Sequence, residues 1–399
     1  MLAGFGVYAL GRNHPTVRRA LQAVIDGELA DVVQFDAPLL PGLLAERLLA
    51  HAPGLDRVHF SNSGSEAVES ALKFARAATG RRRVLYADHA YHGMTLGALS
   101  ITGAKEFRKG FDPLLRDKRI RLGDVEALER ELRKGDVAAF VVEPIQGKGV
   151  YLPPPGFLAA AQNVLHEHGA LLICDEVQTG IARTGRFFAY QHEGVDPDIV
   201  TAAKALSGGF VPVGVTMTKG WIIGEVYSSL DRAFVHGSTF MGNALAMAAG
   251  LATLAVVDEL DLSARAERAG ATLMAELRKM ADRYDFMADV RGRGLMVGIE
   301  FGGPRGLRHR ATWQLLRAAR RGLFAQLVVA PLFHRHRVLT QVAGDHIDVI
   351  KLLPPLLVGD EEVEWFLAAF DDVMDDVHSS NGLFWEFGLN LVKHAITRR

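Results

Sequence analysis

A lysine stands where an apolar, strand-like run ends, in the segment DIVTAAKALSGG (198–209). Lys204 is followed by small residues and then by two glycines. An amine held in apolar surroundings has a lowered pKa and becomes a usable nucleophile, for example toward an aldehyde. The alternative is that Lys204 only extends its ammonium group from the strand end into solvent.

Small residues fill SNSGSEA (61–67), between a predicted strand and a predicted helix. Such residues let backbone N–H groups approach an anion, and the start of a helix adds favourable potential. Ser63, Gly64 and Ser65 are therefore candidates for a phosphate cradle. The alternative is an ordinary helix cap with Ser65 as the N-cap residue. Taken alone, this segment favours the cap.

A carboxylate follows the apolar run ALLIC, in ALLICDEVQTG (170–180). If Asp175 is buried it needs a partner, and a protonated ring nitrogen or a metal ion would serve. The alternative is an acid that caps a neighbouring loop. After another apolar run, Tyr91 and His92 could stack on a flat ligand, although such a pair more often packs in a core. His89 and His92 complete no convincing ligand set, so no metal site is predicted.

The elements that must position these residues follow from the apolar patterns. Non-alternating strands separated by helices predict an α/β domain with a mostly parallel central sheet flanked by helices, over residues 41–255. Residues 256–377 predict a smaller α+β domain, to which residues 1–40 contribute, and DVRGRGLMVGIEF (289–301) is predicted as one alternating strand. The predicted strands are RVHFSN, RRVLYADH, VAAFVVEP, ALLICDEV, DIVTAAK and PVGVTMT.

Ligands of open α/β sheets bind beyond the carboxyl ends of the strands, where all these candidates lie. Together they supply an anion cradle, an aromatic face, a buried carboxylate and an amine. These are the parts that hold pyridoxal phosphate, which carries a phosphate, a ring nitrogen that must stay protonated and an aldehyde that forms an imine with lysine.

Composition excludes several other classes of protein. The 399 residues are 49% hydrophobic and 23% charged, with a net charge of −1, which gives no sign of nucleic-acid binding. The single cysteine, Cys174, rules out an internal disulfide framework. The sequence has neither a signal peptide nor an apolar run long enough to span a bilayer, and a cytoplasmic location is predicted.

Several long motifs occur in an order that resembles the class III (ω-)aminotransferases of pyridoxal phosphate fold type I. Familiar members act on ornithine, acetylornithine and putrescine. The resemblance extends from GRNHP to LLPPLLV. Its most specific motifs are SNSGSEA, VVEPIQG, DEVQTGIARTGRFFA, PDIVTAAKALSGG and HGSTFMGNALA.

The resemblance implies roles at the cofactor ring. Lys204 would bind the aldehyde as an imine and then move the proton between the substrate carbon and the cofactor. Asp175 would pair with the ring nitrogen, Gln178 would contact the ring's 3′-oxygen, and His92, next to Tyr91, would stack on the ring.

The resemblance also implies roles around the phosphate and the pocket. Gly64 and Ser65, next to Ser63, would bind the phosphate. Thr239, next to Ser238, would reach the phosphate of a neighbouring subunit, which implies a homodimer. Glu143 would be the pocket acid beside the cofactor.

Two departures from the family pattern concern the substrate. Lys351 stands where relatives have the arginine that binds the substrate carboxylate, and a lysine cannot form the same bidentate contact. Arg337 or Arg335 would be the substitute. The acid that many relatives carry after EPIQG is missing, and Lys148 follows instead. Both changes predict an unusual amine donor or oxo acceptor in a specialised biosynthetic pathway, such as a carrier-bound or lipid-like aldehyde.

The two ends of the chain carry their own predictions. Met1 falls inside the region of family motifs, which predicts an N-terminally truncated chain. Residues 378–399 predict an amphipathic helix with aromatic residues and terminal cations, which docks either on the protein itself or its partner subunit or, less commonly, on a membrane surface.

The sequence therefore predicts a pyridoxal phosphate-dependent aminotransferase with a ping-pong mechanism. Two alternatives stay open. One is a different reaction on the same scaffold, by an aminomutase, racemase or decarboxylase, because those enzymes share the lysine and the aspartate. The other is an inactive, truncated relative.

Overall fold

The computed structural model of the protein describes residues 1–27, 38–115, 117–304, 306 and 310–379. These residues divide into two units. The larger unit comprises the described residues between Gly4 and Gly147 and between Leu152 and Ser263. The smaller unit comprises Met1–Ala3, Lys148–Tyr151 and the described residues from Ala264 onward. Of the residues before 41, which were expected in the smaller domain, only the first three therefore join the smaller unit.

The larger unit alternates strands with helices. Its strands are β1 (Arg57–Ser61), β2 (Arg83–Ala87), β3 (Lys118–Ile120), β4 (Val137–Val142), β5 (Leu171–Asp175), β6 (Ile199–Ala202) and β7 (Gly214–Thr218). Its helices are α1 (Pro15–Asp26), α2 (Leu39–Ala50), α3 (Gly64–Thr79), α4 (Leu96–Ser100), α5 (Lys105–Arg108), α6 (Val125–Leu132), α7 (Phe157–Glu167), α8 (Gly220–Val226) and α9 (Ala244–Glu259).

The strands of the larger unit form one seven-stranded sheet in the order β1-β7-β6-β5-β4-β2-β3. The pairs from β6 through β5, β4 and β2 to β3 are parallel, and only β7 runs in the opposite direction to its neighbours. Every residue of β4, β5 and β6 is buried, which is typical of a sheet covered on both faces. The predicted α/β domain with a mostly parallel sheet is thereby confirmed.

Helix α3 shows why the helices cover this sheet. Val68, Ala71, Leu72 and Ala75 recur at three- and four-residue spacing and are buried in an apolar cluster with residues of β2, β4 and β5. Gly80 ends the helix in the left-handed conformation, with φ of 66°, which glycine adopts without strain.

The smaller unit contains an antiparallel four-stranded sheet in the order β10-β11-β9-β8. Its strands are β8 (Met287–Arg293), β9 (Met296–Phe301), β10 (Gln341–Val342) and β11 (Val349–Leu352). Its helices are α10 (Leu262–Arg283), of which it holds the part from Ala264 onward, α11 (Arg310–Ala319), α12 (Leu323–His336) and α13 (Asp360–His378). The predicted smaller α+β domain is confirmed as a fold class.

The single strand predicted over 289–301 is wrong. The segment forms a hairpin, with β8 and β9 paired from Arg293–Met296 outward and Gly294 at the turn, with φ of 50°. Buried apolar residues lie on both arms, Val290 on β8 and Val297 and Ile299 on β9, so the pattern does not reveal where the chain reverses.

Within the described part of the chain, no helix combines the length and the apolar character that crossing a membrane requires. The predicted amphipathic tail lies outside the described residues, apart from His378 and Ser379.

Candidate active site

The candidate residues follow strands that run in the same direction, so they meet at one edge of the larger unit's sheet. Asp175 is the last residue of β5, and Lys204 comes two residues after β6. Glu143 follows β4 directly, and Tyr91 and His92 follow β2 after a short loop. Because the carboxyl ends of parallel strands share an edge, this arrangement forms the usual ligand-binding crevice of an open α/β sheet.

Asp175 is buried and its carboxylate is held from both sides. Oδ1 accepts hydrogen bonds from the Val177 backbone N–H (3.0 Å) and from the Thr201 hydroxyl (3.2 Å). Oδ2 accepts from Nδ1 of His92 at 2.6 Å. Burial lowers the pKa of His92, but its hydrogen bond to Asp175 and the charge of that carboxylate more than offset burial and raise the pKa above its ordinary value. The carboxylate is therefore fixed in orientation.

The position of His92 does not fit the expected stacking role. Its side chain is 0% exposed, so neither face of the imidazole borders open space. Its Nε2 is also buried and has no hydrogen-bond partner among the described residues. Tyr91 is half-buried and makes an edge contact with Phe107, with ring centroids 5.3 Å apart. Of the two aromatic candidates, Tyr91 is the one with an accessible surface.

Lys204 begins a 3-10 helix (Lys204–Ser207) and has a φ of 37°, in the left-handed region that few non-glycine residues adopt. The side chain is half-buried. Burial lowers the pKa of Lys204, and the negative charges of Asp175 and Glu143 partly oppose that shift. No described residue makes a hydrogen bond to its Nζ. A strained backbone and a disfavoured charge on one lysine are typical of a functional site.

Glu143 is buried, and both of its oxygens accept from backbone N–H groups. Oε1 accepts from Tyr91 (2.9 Å) and Oε2 from Gly147 (2.7 Å). Burial raises the pKa of Glu143, against the opposing charge of His92. A Cβ at residue 147 would lie 2.6 Å from Oε1 of Gln178, so glycine permits this approach without a shift of the Gln178 side chain. Glu143 and Gln178 are thereby brought together beside Gly147.

The segment predicted as a phosphate cradle lies at the start of α3, with a different cap residue from the one expected. Ser63, and not Ser65, is the N-cap, because its Oγ accepts from the Glu66 N–H at 3.1 Å. The backbone N–H groups of Gly64 and Ser65 have no acceptor among the described residues. The Ser65 hydroxyl accepts from the Met94 N–H at 3.4 Å. Unpaired N–H groups at a helix start suit an anion.

Gly64 connects this cradle to the rest of the site. A Cβ at residue 64 would lie 2.8 Å from Cγ1 of Val177 and 3.5 Å from Cβ of Ala203. Val177 holds Asp175, and Ala203 precedes Lys204. The cradle, the buried carboxylate and the amine therefore lie next to one another.

Ser238 also lies near the start of α3, because its Oγ accepts from Nδ2 of Asn62 at 2.7 Å. Thr239 is exposed. Both precede α9, in the loop after α8. The role expected for Thr239 at a neighbouring subunit stays a prediction.

The substrate candidates belong to the smaller unit. Lys351 lies in the middle of β11 and is 4% exposed, opposite Gln341 on one side and Gly298 on the other. Arg337 is exposed and ends α12 in the left-handed conformation, with φ of 59°. Arg335, the other arginine considered, pairs with Asp376 at 2.5 Å. The substrate roles of these residues stay predictions.

Two residues that hold the site were not anticipated. Thr201 carries a hydroxyl in the otherwise apolar, buried strand β6, and a polar residue in such a run is a signal in the sequence that could have indicated its role. Asn62 binds both Glu66 and Ser238, and nothing in its surroundings in the sequence indicates the second contact.

Comparisons with known proteins agree with this geometry. The profile of the family described as "Aminotransferase class-III" matches residues 1–374. The chain is 38% identical over 411 residues to aminotransferase PigE of Serratia sp. (strain ATCC 39006), covering 94% of this chain and 48% of the relative. The chain therefore spans about half the length of that relative.

Solved structures give the same result. The ornithine aminotransferase from Toxoplasma gondii ME49 is 32% identical, with a TM-score of 0.83, over 94% of this chain and 86% of that one. An amine transaminase from an uncultivated Pseudomonas species, in its PLP-bound form, is 30% identical, with a TM-score of 0.81, over 94% and 89%. The chain belongs to the class III aminotransferases, enzymes of pyridoxal phosphate fold type I.

Proposed function

We propose that the protein is a pyridoxal phosphate-dependent aminotransferase that moves an amino group between an amine or amino-acid donor and an aldehyde or 2-oxo acid acceptor by a ping-pong mechanism. The observation that carries this proposal is the meeting of Lys204, Asp175 and the cradle at the start of α3, at one edge of the sheet. The family membership supports it.

The residues fit the cofactor group by group. The unpaired N–H groups of Gly64 and Ser65 suit its phosphate. The Asp175 carboxylate suits a protonated ring nitrogen, because its existing hydrogen bonds fix its orientation. The Lys204 amine makes no competing hydrogen bond among the described residues and suits an aldehyde. When bound, pyridoxal phosphate supplies an electron sink that makes the C–H bond next to the substrate's nitrogen acidic.

The side chains of the protein then have separate roles in the reaction. Lys204 Nζ takes the proton from the substrate carbon and returns it, which requires the neutral amine that burial favours. Asp175 keeps the proton on the ring nitrogen, and Thr201 and His92 hold Asp175 in place. Tyr91 provides the ring face that the enclosed His92 lacks.

Other residues complete the proposed pocket. Gln178 and Glu143 border the ring beside Gly147, where no side chain intervenes. We propose that Ser238 and Thr239 bind the phosphate, with Thr239 serving the neighbouring subunit of a homodimer. Exposed apolar side chains in the same loop support a partner surface there: Leu230, Phe234, Val235 and Phe240.

The acceptor is proposed to be one that does not depend on bidentate recognition of a carboxylate. Lys351 offers a point charge where relatives have an arginine fork, and Lys148 follows EPIQG where many have an acid. An aldehyde made in a specialised biosynthetic pathway fits this pattern. A clear preference for ornithine with 2-oxoglutarate would contradict this part of the proposal.

Half-reaction spectroscopy tests the reaction class. The protein loaded with pyridoxal phosphate is mixed with single amine donors in the absence of an acceptor. A transaminase shifts its absorbance fully to the pyridoxamine form and recovers the original band only when an aldehyde or 2-oxo acid is added. A racemase, aminomutase or decarboxylase turns over without that requirement, and an inactive relative shows no shift.

A further inference from the structure

His236 lies in the loop that joins α8 to α9, two residues before Ser238; we refer to residues 227–243 as the 227–243 loop. Its imidazole faces α3. Nε2 is 2.7 Å from the Ser70 hydroxyl, and Nδ1 is 2.8 Å from Nζ of Lys73. The ring is thus clamped between two side chains of the helix that forms the phosphate cradle.

The chemistry of these two partners fixes the protonation state of His236. The Ser70 hydroxyl donates its proton to the Glu66 carbonyl at 2.8 Å, so it accepts from the imidazole. The Lys73 ammonium can only donate, so Nδ1 must be the acceptor. Only the neutral imidazole with its proton on Nε2 satisfies both contacts, because a protonated ring would point an N–H at the ammonium.

Further hydrogen bonds hold the 227–243 loop in place. Lys73 Nζ also donates to the Val235 carbonyl at 3.2 Å, and the Tyr227 hydroxyl donates to the His236 carbonyl at 3.0 Å. Asn62 Nδ2 donates to Ser238 Oγ at 2.7 Å. The 227–243 loop is therefore fastened to α3 and to the residue just before its cradle, immediately upstream of Thr239.

We infer that neutral His236 is a positioning residue for phosphate binding: by fastening the 227–243 loop to α3 it holds Ser238 and Thr239 in the positions from which they bind cofactor phosphate, Thr239 that of the neighbouring subunit. The inference rests on the proposed function, in which those two side chains bind that phosphate. The His236 side chain contacts α3 through Ser70 and Lys73, and its proposed effect passes through the loop.

The attachment depends on pH in a defined direction. The groups that face His236 are Glu66, Glu69 and Lys73 of α3, His59 of β1 and Tyr227 at the end of α8. Burial and then Lys73 lower the pKa of His236, and the two glutamates oppose this less strongly. The 227–243 loop is thus fastened to α3 at neutral pH. It is released when His236 becomes protonated, as pH falls through the lowered pKa of His236. Burial holds the pKa of His59 at about 4, so His59 stays neutral over that range.

The test compares binding of pyridoxal phosphate with binding of pyridoxal, which lacks the phosphate, by the full chain at pH above neutrality. Lys73→Met removes one clamp, and we expect the dissociation constant of pyridoxal phosphate to rise about threefold to tenfold, as for loss of one hydrogen bond. The constant for pyridoxal should stay unchanged. Lys279→Met, at an exposed helical lysine paired with Glu276, is the matched control and should alter neither constant.

Two further measurements separate positioning from general damage. Hydrogen exchange of the 227–243 amides should be faster in Lys73→Met than in the wild type or the control. His236→Gln retains a donor and an acceptor but cannot titrate. The wild-type preference for pyridoxal phosphate over pyridoxal should therefore decline as pH is lowered toward about 5, and the preference of His236→Gln should decline less.

The inference would be overturned if Lys73→Met weakened the binding of pyridoxal phosphate and of pyridoxal equally. It would also be overturned if Lys73→Met left both the ratio of the two dissociation constants and the hydrogen exchange of the 227–243 amides unchanged. If His236→Gln does not fold, Lys73→Met and its control decide the question alone. A wild-type protein that binds neither ligand would contradict the proposed function, and this inference with it, whereas a wild-type preference that Lys73→Met leaves intact contradicts only the inference.

Discussion

Lys204 and Lys351 both lie in or next to β-strands, but their surroundings differ, and those of Lys204 are typical of a reactive group. Lys204 lies beyond the end of a parallel strand, with a left-handed backbone and the buried carboxylates Asp175 and Glu143 acting on its charge. Lys351 lies inside an antiparallel strand, and ladder partners flank it on both sides. A strand end leaves a side chain facing the crevice where ligands bind, whereas a mid-strand residue is held by its sheet.

The two positions also differ in how they constrain a ligand. Beside Lys204, Gly64 and Gly147 let backbone and side chains approach within distances that a Cβ would prevent. Beside Lys351, Gly298 on β9 is the cross-strand neighbour, and a Cβ there would contact Val150 at 3.0 Å. Glycine therefore permits close approach at both sheets, between residues of the candidate site at the parallel sheet and against Val150 at the antiparallel one.

The sharpest way to break this comparison is to remove each amine in turn. Lys204→Ala should reduce transamination by roughly 10³-fold or more, because the proton-transfer group is lost. It should also abolish the absorbance band of covalently bound cofactor, which is measured by titrating the variant with pyridoxal phosphate. Lys351→Met should keep that band. Loss of the band in Lys351→Met, or its retention in Lys204→Ala, would reverse the roles assigned to the two lysines.

Asp175→Asn tests the carboxylate that accompanies Lys204. The amide keeps the shape and can still accept from Val177, but it removes the negative charge that pairs with the ring nitrogen. We expect the cofactor to bind and turnover to fall by about 10²-fold or more, as for loss of one preorganised electrostatic contact. Single-turnover kinetics with a saturating donor measure this, and near-normal rates would contradict the assigned role.

Lys351→Met sharpens the comparison on the side of the substrate. If Lys351 binds a carboxylate, the KM for 2-oxo acid acceptors should rise about tenfold, equivalent to the loss of about 1.4 kcal/mol. The KM for an aldehyde without a carboxylate should not change. A variant that is less stable but has unchanged KM values for both acceptors would show that Lys351 only supports its sheet.

The smallest expected effect concerns stability without cofactor. Because burial lowers the pKa of Lys204, the folded state pays to keep this amine protonated, and that penalty is present at pH values below the lowered pKa. Lys204→Met should therefore be more stable than the cofactor-free wild type by about 1 kcal/mol near neutral pH. The difference should shrink as pH approaches the ordinary lysine pKa of about 10.4. Urea unfolding at several pH values measures it, and a less stable variant would count against the burial argument.

The sequence allowed the fold class to be predicted and the central candidate residues of the site to be selected, because both depend on local patterns. Apolar runs mark β4, β5 and β6, and the polar residue that ends each run marks the crevice. Lys204 and Asp175 were found in this way.

The contacts between side chains could not be predicted, because they depend on which strands are neighbours and on their register. His92 and Asp175 are separated by 83 positions, and their hydrogen bond requires β2 to lie two strands from β5 in the sheet. The expectation that His92 stacks on the ring did not take this hydrogen bond into account. The cap at Ser63 and the reversal at Gly294 are local, but several neighbouring residues would have suited either role.

The pairing of Met1–Ala3 with Leu353 imposes an order on folding. Met1 and Ala3 pair with Leu353 through backbone hydrogen bonds of 3.0 and 2.9 Å, so residues some 350 positions apart share one short ladder in the smaller unit. A ribosome makes Met1 some 350 residues before Leu353. This ladder can therefore close only after the entire larger unit has been synthesised. Until then Met1–Ala3 remain an unpaired strand edge, and the smaller unit is a product of late, long-range folding.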